Sequence, residues 1–140
     1  MNIRLGTDIV YIPRIQAALD RFGERFLKRV YTPAEQQDAG ALIQVPVPVG
    51  LREKRTDVSA SRLAGRWAAK EAVAKALGTG WRGLRYTDIE VQRQPSGQPK
   101  VCLYGAAAIA VSTWGDYHWQ VSLSHDGDYA IATAIAFCRD

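Results

Sequence analysis

Ile3 and Leu5 alternate with polar residues from Asn2 to Thr7, which predicts a short strand delivering Asp8 to its end. Pro13 suits the first turn of a helix running to about Val30, with Ile15, Leu19, Phe22 and Phe26 as its apolar stripe. Thr32-Pro33-Ala34-Glu35 has the form of a capping box and opens a second, short helix. From about Ser61 to Leu77 the chain is rich in strong helix formers, and Gly78 suits the left-handed residue that ends such a helix. Between these, residues 39–59 show no usable period. Val45-Pro46-Val47-Pro48-Val49-Gly50 fits neither a regular helix nor a central strand, and the segment is read as a surface loop.

The second half reads as strands. Thr87 to Gln92 alternates, Pro95-Ser96-Gly97-Gln98-Pro99 turns the chain, and Lys100 to Tyr104 returns. Ala106 to Trp114 is expected to be a short helix, followed by a hairpin of Trp119–Ser124 and Tyr129–Cys138 around Asp126-Gly127-Asp128. In that last strand Tyr129, Ile131, Thr133, Ile135 and Phe137 share one face, while Ala130, Ala132, Ala134, Ala136 and Cys138 share the other. Both faces are apolar, so both need cover. Either helices wrap the two sides or a second protomer takes one of them. A strand, then helices, then mostly antiparallel strands indicates an α+β fold rather than a doubly wound parallel sheet.

Composition narrows this little. The 140 residues suit a single domain over 1–140, without internal repeats or membrane-spanning apolar runs. The N-terminus lacks a signal-peptide pattern, so a cytoplasmic location is expected. Cys102 and Cys138 have neither metal-ligand spacing nor disulfide-scaffold density, and read as buried thiols. A net charge of +4 points to an acidic partner or substrate, nucleic acid, phosphorylated small molecule or acidic protein alike. Arg14, Arg21, Arg25 and Lys28 fall in one narrow sector of the first predicted helix, a purely basic flank.

The candidate chemistry sits on the long helix. Glu71 and Lys75 are four apart and share a face, an arrangement that by itself is an ordinary surface ion pair. It gains meaning from Arg66-Trp67-Ala68-Ala69-Lys70-Glu71-Ala72-Val73-Ala74-Lys75-Ala76 and Gly78-Thr79-Gly80 taken with two distant segments. These are Gly6-Thr7-Asp8-Ile9 and Val121-Ser122-Leu123-Ser124-His125. In this order and at these separations, the segments resemble the holo-[acyl-carrier-protein] synthases, the short 4′-phosphopantetheinyl transferases. The resemblance covers nearly the whole chain, and because short members of that family have little at 39–59 it implies that this loop is an insertion.

The resemblance implies transfer of phosphopantetheine from coenzyme A to a serine of apo acyl carrier protein, releasing adenosine 3′,5′-bisphosphate. Asp8 and Glu71 are then the magnesium ligands, and Glu71 or a water it orients is the base. Two carboxylates suit Mg²⁺, which completes its shell with water and phosphate oxygens. Lys75 would act on the leaving phosphate. His125 would contact coenzyme A phosphates, Arg66 and Lys70 are weaker candidates for the same task with at least one of them a solvated helix charge, and Gly78 with Thr79 and Gly80 would lie near the nucleotide. Arg14, Arg21 and Arg25 would dock the carrier protein. A homotrimer with active sites between subunits is implied, with neither nucleic acid nor membrane as partner. Two other readings remain at this point: a metal-dependent nucleotide phosphohydrolase and a small basic nucleic-acid-binding module.

Overall fold

The computed structural model describes residues 1–40 and 58–139. β1 spans Asn2–Tyr11 and is followed by α1 (Ile12–Phe22), α2 (Glu24–Val30) and α3 (Pro33–Asp38). The long helix α4 is Ala60–Leu77, and a 3₁₀ turn at Tyr86–Asp88 leads into β2 (Ile89–Arg93) and β3 (Pro99–Leu103). α5 (Gly105–Ala110), β4 (Tyr117–Asp126) and β5 (Tyr129–Cys138) complete the chain. β1, β5 and β4 form an antiparallel three-stranded sheet in that order, and β2 pairs with β3 in a separate hairpin. The α+β expectation is met.

Several boundaries move. β1 does not stop at Thr7 but runs on to Tyr11, so Asp8 lies inside the strand opposite Ala132 of β5. The helix expected from Pro13 to Val30 is two helices, because Gly23 adopts φ 54° and ψ −125° and breaks the period there. The proposed stripe breaks with it: Ile15 is buried, whereas Phe22 is exposed. Thr87 and Asp88 belong to the 3₁₀ turn, and β2 begins with three consecutive buried residues instead of an alternation. α5 ends at Ala110, four residues short of Trp114, and β4 is longer at both ends than the expected Trp119–Ser124. Of the 39–59 insertion, residues 41–57 lie outside the described residues. Its feet are joined, since Ser59 N donates to Ala39 O at 2.9 Å.

α4 organises the molecule. The Ser59 side chain caps its start by accepting from Arg62 N at 3.1 Å, and Gly78 ends it at φ 84°. Ala68, Ala69, Ala72 and Ala76 are buried, as is the whole alanine face of β5, so helix and sheet approach through methyl groups. The approach is closest at β1. A Cβ built on Gly6 would fall within 2.9 Å of three backbone atoms of Ala72 and Ala76.

On the far side, Lys70 and Glu35 form a fully buried ion pair of 2.7 Å. Glu35 Oε1 also accepts from Thr32 N, closing the expected capping box, and Oε2 accepts from Val91 N at 2.9 Å. Lys70 Nζ donates in addition to the carbonyls of Tyr86 and Ile89. One buried cluster thus ties α3, α4 and β2 together. Burial pushes the Lys70 ammonium's pKa down from its ordinary value, opposed by the Glu35 carboxylate.

Among the described residues nothing covers the outer sheet face. Ile3, Leu5 and Ile9 of β1 are 60%, 62% and 62% exposed, and on β5 the exposed Ile131 and Tyr129 lie opposite Ile9 and Tyr11. Only the alanine face of β5 therefore has its expected cover within one chain.

Candidate active site

Asp8 and Glu71 line one cavity of about 300 Å³ together with Arg14, Ile15, Phe26 and Trp67. β1 supplies the first carboxylate and α4 the second. The sheet register explains why Asp8 points here: Gly6, Asp8 and Val10 stand on the helix side of β1, and the apolar Ile3, Leu5 and Ile9 on the other.

Lys75 does not pair with Glu71 one turn before it. Its Nζ lies 3.1 Å from Asp8 Oδ1 and donates to Thr7 O at 2.9 Å, bridging helix to strand. Glu71 instead accepts at Oε2 from Trp81 Nε1 at 2.9 Å. The expected surface ion pair is replaced by a compact constellation of two carboxylates, one ammonium and one indole. Hard carboxylate oxygens on two elements, facing one small cavity, fit a Mg²⁺ that takes its remaining ligands from water and phosphate.

Arg66 lies elsewhere. It lines a cavity of about 600 Å³ with Arg62, Arg93, Gly97, Gln98, Pro99 and Ser122, and its Nη2 meets Asp38 Oδ2 at 3.1 Å. Arg66 and Glu71 are five positions apart in α4, which puts them about 140° apart around the helix. Three arginines at the rim of one groove can hold phosphate charge.

Lys70 takes no part in either cavity. Its burial against Glu35 corrects both suggestions made for it, a phosphate contact and a solvated helix charge. His125 is an exposed residue within β4, opposite Ala130, because the strand runs on past the end expected at Ser124. Gly78 and Gly80 both have positive φ, so the chain can reverse directly after α4.

The basic residues are split by the break at Gly23. Arg14 and Arg21 are on α1, Arg25 and Lys28 on α2, and all four are exposed. The single-helix stripe is therefore a surface formed by two short helices. Arg14 borders the Asp8–Glu71 cavity, and Arg25 lines a neighbouring one of about 330 Å³ with Arg29, Phe22, Phe26, Trp67 and Tyr86.

Trp81, Arg62 and Arg93 were missed by the sequence reading. Trp81 carried a usable signal: a tryptophan directly after a glycine-flanked helix end buries a ring whose N–H needs an acceptor. Arg93 carried none, since only the β2–β3 hairpin brings it near α4.

A family model described as the 4′-phosphopantetheinyl transferase superfamily matches residues 4–134. A holo-[acyl-carrier-protein] synthase from Gloeobacter violaceus is 53% identical over 130 residues, covering 93% of this chain and 89% of the relative. Among solved structures, a Chronobacterium ammoniagenes ACPS–CoA complex is similar at TM-score 0.76 and 30% identity, covering all of both chains. Helicobacter pylori holo-[acyl-carrier-protein] synthase in complex with coenzyme A is similar at TM-score 0.72 and 29% identity, covering 93% of this chain and 96% of that one.

Proposed function

The chain belongs to the 4′-phosphopantetheinyl transferase superfamily, and from that membership we infer that it makes holo acyl carrier protein from coenzyme A. The serine oxygen of the apo carrier forms a bond to the pantetheine-side phosphorus. The pyrophosphate P–O bond breaks, and adenosine 3′,5′-bisphosphate leaves. The phosphohydrolase and nucleic-acid readings find no support among these relatives.

The observation that carries the reading is the cavity that Asp8 and Glu71 share, with Lys75 held on Asp8. Asp8 and Glu71 would hold Mg²⁺, which when bound supplies charge neutralisation on the pyrophosphate. Glu71, on a rigid helix, is placed to take the serine proton directly or through an ordered water. Lys75 has a half-exposed side chain whose ammonium lies beside Asp8, suited to neutralise the charge that grows on the departing phosphate. Arg66, backed by Arg62 and Arg93, offers a phosphate site, and His125 lies on β4 two residues beyond Leu123 of the same groove.

Arg66 and Glu71 occupy different flanks of α4, and an apolar sheet face stands uncovered. Both observations support a homotrimer in which one subunit supplies Asp8, Glu71 and Lys75 and its neighbour supplies Arg66 and His125. Arg14, Arg21 and Arg25, on the exposed α1–α2 surface beside the cavity, would receive the acidic carrier protein. The protein would work in the cytoplasm with coenzyme A. Its two cysteines are free thiols, and among the described residues no helix is long and apolar enough to cross a membrane.

The test is direct. Protein incubated with coenzyme A, Mg²⁺ and an apo carrier protein should add one phosphopantetheine to the carrier, read by intact-mass spectrometry, and chelation of the metal should abolish the adduct. An unchanged carrier mass would overturn the reading.

A further inference from the structure

Trp81 lies four residues beyond the end of α4, yet its indole reaches back to Glu71, about 9 Å of helix before that end. Gly78 at φ 84° and Gly80 at φ 56° make this reversal without backbone strain. The ring is then fixed from the other side. Its centroid is 4.3 Å from that of Tyr86, Tyr86 stacks on Trp67 at 5.0 Å, and Trp67 stacks on Phe26 at 6.2 Å. Trp67 and Phe26 also wall the cavity that holds Asp8 and Glu71. The aromatic row is therefore one surface, with the carboxylate chemistry at its edge.

An indole has one donor and no acceptor. Here that donor is spent on Glu71 Oε2, and among the described residues no hydrogen bond reaches Oε1. A carboxylate with one oxygen pinned has lost most of its rotational freedom. Its other oxygen is the one left to meet a ligand or a proton.

We propose that Trp81 is a positioning residue for phosphopantetheine transfer, its indole N–H holding Glu71 Oε2 so that Oε1 is presented to the cavity shared with Asp8. The proposal rests on the role given to Glu71 above and adds the device that orients it. Losing the N–H lets the carboxylate rotate away from productive geometry, which slows the chemical step more than it weakens substrate binding. Hydrogen bonds to charged groups are worth about one to two decades of rate when the group must be held in place.

Two measurements test this. In ¹⁵N-labelled protein the indole signal missing from Trp81→Phe is that of Trp81, and Glu71→Gln should move this signal more than those of Trp67, Trp114 and Trp119. Second, Trp81 is replaced by benzothienylalanine, which keeps the ring's shape and carries sulfur where the N–H was. Its kcat should fall roughly tenfold or more, while KM for coenzyme A stays within about twofold and the melting temperature is little changed. A benzothienylalanine enzyme with normal kcat, or an indole signal indifferent to Glu71→Gln, would overturn the proposal. So would a loss of rate that merely tracks a loss of stability. Wild-type protein that leaves the carrier unmodified would instead strike the transfer reading itself, and the indole signal would still report the contact.

Discussion

The Cβ that Gly6 lacks would lie 1.8 Å from the carbonyl oxygen of Ala72, so strand and helix meet backbone to backbone. Gly6 precedes Asp8 by two residues and Ala72 follows Glu71 directly, so this contact sets the spacing of the two carboxylates. Gly6→Ala cannot be absorbed by a side-chain rotation, because the clash is with main-chain atoms. It should destabilise the protein by about 3 kcal/mol, at the upper end of ordinary overpacking, and transfer should fall as Asp8 is pushed outward. Urea unfolding and the carrier-modification assay read the two effects separately.

Glu71→Gln keeps the side chain's shape and an oxygen able to accept from Trp81, but removes the charge. Transfer should drop at least about a hundredfold, with the fold intact by circular dichroism. Asp8→Ala should be similarly damaging for the same reason, and it also frees Lys75 from its ion pair. A Glu71→Gln enzyme working near the normal rate at modest Mg²⁺ would refute the assignment.

Asp8, Glu71 and Lys75 were singled out by the resemblance of the segments that carry them, not by their spacing, and the fold brings the three near one another. What the sequence hid is pairing across elements. Glu71 and Lys75 look like partners at four residues apart, yet β1 offers Lys75 a better one in Asp8, and the Gly78–Gly80 reversal gives Glu71 the Trp81 indole. Lys70 looks like its solvated neighbours and is the most buried charge on α4, because α3 places Glu35 against it. The helix expected from Pro13 to Val30 spans Gly23, and only the positive φ of that residue reveals the break. The α+β architecture was legible from periodicity alone, but strand ends were not. β1 and β4 are extended by their pairing with β5, which a local pattern does not contain.

Lys70→Met should cost about 3–5 kcal/mol, since it strands the Glu35 carboxylate in a fully buried site without its counter-charge. Glu35→Gln with Lys70→Met should recover part of that loss. It should not recover all, because Glu35 also accepts from Thr32 N and Val91 N. A double-mutant cycle by chemical denaturation gives the coupling. The KM for coenzyme A should hardly move in either variant that folds, as Lys70 borders neither cavity.

Arg21→Glu and Arg25→Glu, on α1 and α2, should raise KM for carrier protein and leave KM for coenzyme A unchanged, with the difference shrinking at high salt. Arg14→Glu should behave differently. It borders the Asp8–Glu71 cavity, so its reversal should lower kcat as well. Equal effects of Arg21→Glu and Arg25→Glu on both substrates would place them at the nucleotide site instead.

The uncovered sheet face makes the last prediction. Ile3, Leu5 and Ile9 project from β1, with Ile131 opposite Ile9 and Tyr129 opposite Tyr11, an exposed apolar face interrupted by the Thr7–Thr133 pair. In the proposed homotrimer a second copy covering that patch would bring its own α4 and β4 against this chain's cavity, so that Arg66 and His125 could meet Glu71. Leu5→Asp should therefore dissociate the assembly and abolish transfer together, although Leu5 touches neither cavity; native mass spectrometry and the carrier assay follow the two losses. Glu71→Ala and His125→Ala chains, each inactive alone, should regain part of the activity when coassembled, because some interfaces then carry both intact side chains. Verified mixed trimers without activity would place Glu71 and His125 in one subunit's site. A Leu5→Asp monomer with full activity would end the shared-site model, for it would show that one chain completes the site without a neighbour.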